Sequence, residues 1–324
     1  MRLFKSRGAI AGLCALVATA HLAHAAAPIG IGAIYLDSQG YYAGVRKGVQ
    51  DGAAAMGRPI RLVETTAQDD PSKESGFIDT LIAANVKAIL LSAVSSDGSV
   101  HAIRRAHEAG IPVVCYNTCV NDAAMKKYVY AYVVGDPVAF GTKLGGAAAD
   151  YFVKAGLTAP KIGVVNCEFV EVCINRRKGF EAALLARVPG AKLVDNQQGT
   201  TVDASVAVAE KMMTAHPDLD AFFGESGGAT LGATKAVQQS SNKKVVVFGS
   251  DMTSDIGQAL ANHTILKAVV DISGKAVGHL AIQQAMDAVD GKTKGDRIVP
   301  AEIGLYTTSD DANAWLKAHS DGIP

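Results

Sequence analysis

The run Ile29-Gly30-Ile31-Gly32-Ala33-Ile34-Tyr35 opens the stretch that decides the fold. It is a short apolar run bounded by Asp37-Ser38-Gln39-Gly40, a polar turn that leads through Tyr41 and Tyr42 into a helical pattern over Tyr41–Met56. A second β-rich run, Ile60–Thr65, follows. Strand, helix and strand at this spacing form a βαβ unit, which winds into a parallel sheet covered on both faces. The rhythm continues with a helix over Lys73–Ala84, a strand over Ala88–Leu91, a helix over His101–Ala109 and a strand over Pro112–Tyr116. It then begins again. Helices are predicted over Pro137–Ala155, Arg176–Arg187, Val206–Ala215 and Leu231–Gln239, alternating with strands over Lys161–Val165, Lys192–Asp195, Ala221–Phe223, Val245–Gly249 and Ala268–Asp271. Two similar α/β halves of ordinary domain size are the simplest account.

Upstream of this frame, Arg2, Lys5 and Arg7 precede an apolar run from Ala9 to about Ala20, which closes on Ala23-His24-Ala25. Positive start, apolar middle and small residues at the end are the order of a secretory signal peptide, with cleavage expected after Ala25. The apolar run is short of the roughly 20 residues a membrane span needs, and Leu13 before Cys14 argues against a lipidation site. The whole chain has 31 basic and 31 acidic residues. Loss of three basic residues with the leader leaves 28 against 31, a balance of −3 without the basic footprint of a nucleic-acid binder. Four cysteines then remain, Cys115, Cys119, Cys167 and Cys173. An even count in an oxidising compartment favours two disulfides, with the local pairs Cys115–Cys119 and Cys167–Cys173 preferred among three connectivities. Zinc is the competing use of these thiols, but no C-x-x-C pair or clustered histidine supplies the usual ligand set.

In open parallel sheets, ligands bind beyond the carboxyl ends of the strands. Those positions hold Asp37 to Tyr42, Ser92 to Ser95, Asn117-Thr118, Asn166 to Phe169, Gly224-Glu225-Ser226, Ser250-Asp251 and Asp271, with Arg176 downstream. Polar donors and acceptors beside an aromatic platform suit a small polyhydroxylated ligand.

The chain resembles the periplasmic sugar-binding proteins of ABC importers in the ribose-binding-protein class, over essentially its whole mature length. The resemblance is carried, in order, by Gly44-Val45-Arg46-Lys47-Gly48, Ala93-Val94-Ser95-Ser96-Asp97, Gly110-Ile111-Pro112-Val113-Val114 and Arg176-Arg177-Lys178-Gly179-Phe180. Ala215-His216-Pro217-Asp218, Leu231-Gly232-Ala233 and Val247-Phe248-Gly249-Ser250-Asp251 complete it. It implies two Rossmann-like, doubly wound lobes joined by a three-strand hinge, residues 26–135 plus 272–300 in one and 136–271 plus 301–324 in the other. By the same resemblance, Tyr41 and Tyr42 sandwich a sugar ring, Gln39 adds a polar contact, and Arg176 and Asp251 hold ring and hydroxyl oxygens. Asn117, Ser226 and Asp271 stand where relatives carry other ligand-binding residues, so ribose itself is not expected; a polyol, a modified sugar or a small cationic compound remain open. A monomer without cofactor or metal, handing its ligand to an inner-membrane ABC permease, is the implied role.

Each residue also has a plainer reading. Either tyrosine ring could pack into the core, Arg176 could belong to a solvated basic face with Arg177 and Lys178, and Asp251 could cap a helix. Gly224-Glu225-Ser226-Gly227-Gly228 matches G-x-S-x-G between a strand and a helix, with Asp251 and His279 following in hydrolase order. No His-Gly-Gly-Gly-type oxyanion segment accompanies it. A dinucleotide enzyme would want G-x-G-x-x-G after the first strand, where Asp37-Ser38-Gln39-Gly40 stands. A DNA-reading repressor has no room for its helix-turn-helix beside a leader. A closed form read by a sensor or chemoreceptor instead of a permease is the remaining alternative.

Overall fold

The computed structural model describes Met1 and residues 27–38, 40–293 and 296–324. The expected leader beyond Met1 and the expected contact Gln39 lie outside the described residues. The first half contains β1 (Ile29–Tyr35), α1 (Gly40–Ala55), β2 (Ile60–Thr66), α2 (Pro71–Ala83), β3 (Ala88–Leu91), α3 (Val100–Glu108), β4 (Val113–Tyr116), α4 (Asp122–Tyr128) and β5 (Val129–Val134). The second contains α5 (Pro137–Ala155), β6 (Lys161–Asn166), α6 (Glu171–Arg187), β7 (Lys192–Gln198), α7 (Val202–Ala215), β8 (Ala221–Gly224), α8 (Gly227–Gln239), β9 (Val246–Ser250), α9 (Ser254–Asn262) and β10 (Leu266–Asp271). The chain then runs through α10 (Gly274–Val289), β11 (Ile298–Pro300), β12 (Gly304–Tyr306) and α11 (Ser309–Ala318).

Two six-stranded sheets result, ordered β11-β5-β4-β3-β1-β2 and β12-β10-β9-β8-β6-β7. The orders correspond strand for strand, and every pairing is parallel except β10 with β12. Central strands such as β3 (AILL) and β4 (VVCY) are buried at every residue, as a parallel sheet covered on both faces requires. The outermost strands β2 and β7 are half-exposed and carry charges, which discourage further pairing. One apolar core runs through both sheets, taking in Ile31, Val114, Phe140, Phe180 and Phe248.

Helix starts follow elementary capping chemistry. Asp70 accepts from Ser72 N and Lys73 N ahead of Pro71 in α2, and Asp136 accepts from Val138 N and Ala139 N ahead of Pro137 in α5. Two helix pairs then approach backbone to backbone. A Cβ on Gly48 would fall 2.1 Å from Lys275 O between α1 and α10. One on Gly141 would fall 1.8 Å from Arg176 O between α5 and α6. Only glycine fits at these contacts, and they fix where α1 and α6 stand beside the strand ends.

The chain passes between the sheets after β5, after β10 and between β11 and β12. These passages touch: a Cβ on Gly135 would meet Ile272 Cδ1 at 2.5 Å and Ile303 Cγ1 at 3.2 Å.

Several helices begin earlier than the pattern predicts. Helix α6 starts at Glu171 instead of Arg176, α7 at Val202 instead of Val206, and α8 at Gly227 instead of Leu231. Thr201 and Ser226 are the N-caps of α7 and α8, so the loops beside the cleft are shorter than expected.

Candidate ligand-binding site

A cavity of about 230 Å³ lies between the carboxyl ends of the two sheets, lined from both halves. Tyr41, Tyr42, Asn117 and Thr118 come from the first; Phe169, Arg176, Ser226 and Asp251 come from the second. Six of the eight expected contacts thus line one space. Asp271 stands outside that lining, and Gln39 falls among the undescribed residues.

The first wall is built from neutral hydrogen bonds. Tyr41 and Tyr42 open α1 with their rings edge to face, centroids 5.2 Å apart. The Tyr42 hydroxyl accepts from Asn117 Nδ2 at 2.9 Å and lies 3.2 Å from Ser92 Oγ. Ser92 Oγ is in turn 2.8 Å from Thr118 Oγ1, which donates to Ala93 O at 2.7 Å. Tyr132 donates to Asn117 O at 2.7 Å, holding Asn117 at φ 57°. The Cys115–Cys119 disulfide closes the loop around Asn117 and Thr118, with Cα atoms 5.5 Å apart. Burial pushes the Tyr42 hydroxyl up to about 12, although its hydrogen bonds to Ser92 and Asn117 oppose the shift. It stays neutral.

The second wall concentrates charge. Arg176 is 6% exposed and lies over the Phe140 ring, 4.0 Å from its centroid. Its Nη1 donates to Glu225 O at 3.1 Å and stands 3.8 Å from Asp251 Oδ1. Asp251 Oδ2 accepts from Gly227 N at 3.0 Å, and its backbone sits at φ 63° where β9 ends. Behind it, buried Asp271 accepts from Met252 N at 2.9 Å. Burial raises both carboxyls, Asp271 to about 7, with Asp251 adding to the Asp271 shift and Arg176 opposing it. Glu225, fully buried, accepts from Cys167 N at 3.0 Å, and burial pushes it up to about 8. One guanidinium therefore sits among three buried or half-buried carboxyl groups.

Sequence reasoning places Asp37, Phe169 and Glu225 among the strand-end positions without assigning them a contact, and it misses Asp69 at the mouth. Phe169 is 47% exposed yet lines the cavity, an aromatic facing the tyrosine pair's space from the other half. Its signal was available: a large apolar residue directly after a buried strand and inside the Cys167–Cys173 loop. That second disulfide joins the start of the loop to α6, with Cα atoms 5.6 Å apart. Cys167, Cys173 and Glu225 are the one metal-type cluster among the described residues, but sulfurs bonded to each other are not thiolate ligands.

The hydrolase constellation does not assemble. Ser226 Oγ accepts from Ala229 N at 3.3 Å as the cap of α8. His279 packs in α10 against Gly52 of α1, and no histidine among the described residues lines the cavity. Arg176 is buried over Phe140 and not on a solvated basic face.

Two sheets of matching order, crossed three times and facing each other over one cleft, define a class of binding protein. Residues 29–293 match the periplasmic binding protein domain, and the chain belongs to that family. It is 56% identical to the ABC transporter periplasmic-binding protein YphF of Escherichia coli K12 over 295 residues, 91% of this chain and 90% of YphF. It is 27% identical to the ribose import binding protein RbsB of the same organism over 80% of this chain and 82% of RbsB. An ABC transporter periplasmic solute-binding protein from Actinobacillus succinogenes 130z, solved with D-allose, superposes with a TM-score of 0.80 at 20% identity, covering 88% of this chain and 99% of that one. Among the described residues no helix is long and apolar enough to cross a membrane.

Proposed function

We propose that this protein captures a sugar or polyol in the periplasm by closing two lobes on it, and delivers it to an ABC permease in the inner membrane. The lobes are residues 26–135 with 272–300 and residues 136–271 with 301–324, and they hinge at the three contiguous passages around Gly135. The observation that carries this reading is the shared cavity, with a tyrosine pair on one lobe and the Arg176–Asp251 pair on the other. Ring C–H faces pack on the tyrosines, while guanidinium and carboxylate hold adjacent hydroxyls by charge-assisted hydrogen bonds. Contacts from both lobes coexist only when the lobes are closed, so ligand shifts the population to that form by its differential affinity. The names of the ribose-import relative and the allose-bound structure support a carbohydrate. The chain acts as a monomer, exported by its leader, and performs no chemistry of its own.

The test is calorimetry of the oxidised mature protein against pentoses, hexoses, polyols and amino sugars, repeated with Arg176→Ala. Saturable binding lost in the variant supports the reading. Binding that survives unchanged in Arg176→Ala removes the site assignment.

A further inference from the structure

The charges on the cavity wall do not balance. Among the described side chains that line it, four are charged: Asp37, Asp69, Arg176 and Asp251. Arg176 and Asp251 face each other at 3.8 Å, which leaves two carboxylates over. Among the described residues neither Asp37 nor Asp69 has a basic partner in any ion pair. Both belong to the first half, at the ends of β1 and β2, and both are exposed at the mouth. Lobe closure takes water away from them. A carboxylate deprived of water and given only neutral hydroxyl partners recovers part of its lost solvation, whereas a cation restores the charge balance as well.

We propose that the ligand of this cleft carries a protonated amine beside its hydroxyls, an amino sugar or amino polyol, with the ammonium held between Asp37 and Asp69. The assignment rests on the carbohydrate reading above and narrows it. An ammonium offers three donors and a positive charge to groups that can only accept. The hydroxyl end is answered on the opposite wall. Arg176 is more than nine-tenths buried and lines the same space, yet its single hydrogen bond among the described residues goes to Glu225 O. The guanidinium retains further N–H donors for ligand oxygens. Burial and the charge of Asp37 both raise the Asp69 carboxyl above its ordinary range, a repulsion that a bound cation relieves. The faces of Tyr41, Tyr42 and Phe169 add a surface that attracts cations.

The test uses matched probes that differ only in the amine: D-glucosamine with D-glucose, D-galactosamine with D-galactose, and 1-amino-1-deoxy-D-sorbitol with D-sorbitol, each titrated calorimetrically. The expected result is that the cationic member of a pair binds at least about tenfold tighter. Raising salt erodes that preference, and Asp37→Asn with Asp69→Asn abolishes it while Arg176→Ala weakens both members. Neutral members binding as tightly as their amines overturns the inference and leaves the carbohydrate reading intact. Ca²⁺ alone stabilising the protein, and losing that effect in the double Asn variant, assigns the carboxylates to a metal and also overturns it. Absence of binding by every pair overturns the inference, and the wider panel of pentoses and other polyols then decides the carbohydrate reading separately. Because Asp37 and Asp69 are exposed, an unchanged melting temperature in the double variant separates a lost contact from a lost fold.

Discussion

On the first wall of the cleft, Tyr42, Ser92, Asn117 and Thr118 form a neutral network in which each side chain already has a protein partner. On the second wall, Arg176 stands among Asp251, Glu225 and Asp271, and burial raises all three carboxyls above their ordinary range while Arg176 opposes the shift. Both walls rise from corresponding strand ends of matching sheets, and each is stapled by a short disulfide loop. The difference teaches a division of labour. The neutral network of the first wall is complete without ligand and supplies shape; the crowded charges of the second wall, together with the mouth carboxylates Asp37 and Asp69, unpaired among the described residues, are what a ligand has left to satisfy.

The sharpest way to break this comparison is Arg176→Ala. It strands several carboxyl groups in a buried site, where loss of one member of an ion pair costs about 3–5 kcal/mol. Ligand affinity should fall by about a hundredfold or more in calorimetry. A loss below about tenfold would move recognition to the first wall.

Next in size is Gly141→Ala, which touches no ligand. Its methyl group would meet Arg176 O at 1.8 Å, so α6 must shift and carry the guanidinium with it. Stability should fall by about 1–3 kcal/mol in urea denaturation, with a parallel loss of affinity. Gly146→Ala on the same helix meets nothing within 4 Å, so it should leave affinity unchanged and raise stability by up to about 1 kcal/mol.

The second wall also predicts a pH dependence that the first does not. Asp271 near 7 and Glu225 near 8 are both raised above the ordinary carboxyl range by burial. The folded chain therefore binds protons that the unfolded chain has released, and stability falls wherever that holds. The contribution is full below the unfolded values of about 4 and is lost as pH rises through about 7 and 8. Melting temperatures should fall between pH 5 and pH 8.5, a slope that Asp271→Asn flattens; a flat wild-type profile would deny the charge imbalance.

The smallest effect is expected from Tyr42→Phe. Removing one hydroxyl from the neutral network leaves Asn117 Nδ2 and Ser92 Oγ each short of a partner, for about 1 kcal/mol of stability. Affinity should change by less than about fivefold. A larger change would show that the first wall reads chemistry as well as shape.

The βαβ rhythm is legible because strands buried on both faces must be continuously apolar, and β3 occupies the residues its apolar run predicts. Edge strand β7 runs past the predicted end at Asp195, since Asn196, Gln197 and Gln198 look like loop residues unless a strand pairs on one side only. Propensity predicts a later start for α8 because Gly227 and Gly228 are poor helix formers. A Cβ on Gly228 would fall 1.9 Å from Thr200 O, so close approach overrode propensity. Strand β5 leaves no mark in the sequence because α4 ends at Tyr128 and the strand begins at Val129, with no turn residue between them. In the cleft, strand-end logic and family resemblance reached most of the lining residues. They could not rank Asp37, Asp69, Glu225 and Phe169, whose importance lies in what surrounds them. Charge balance is a property of a cavity, and a chain read in one dimension does not have one.

The glycine contacts between helices also set an order of assembly. Helices α5 and α6 are neighbours along the chain and can dock as soon as both exist. Helix α1, near the start, finds its glycine partners Gly274 and Gly278 only when α10 has been made and the entire second half lies between them. Contacts of such long range close late and slowly. The half whose strands come first along the chain is thus the last to be finished, and until then its apolar helix face waits uncovered.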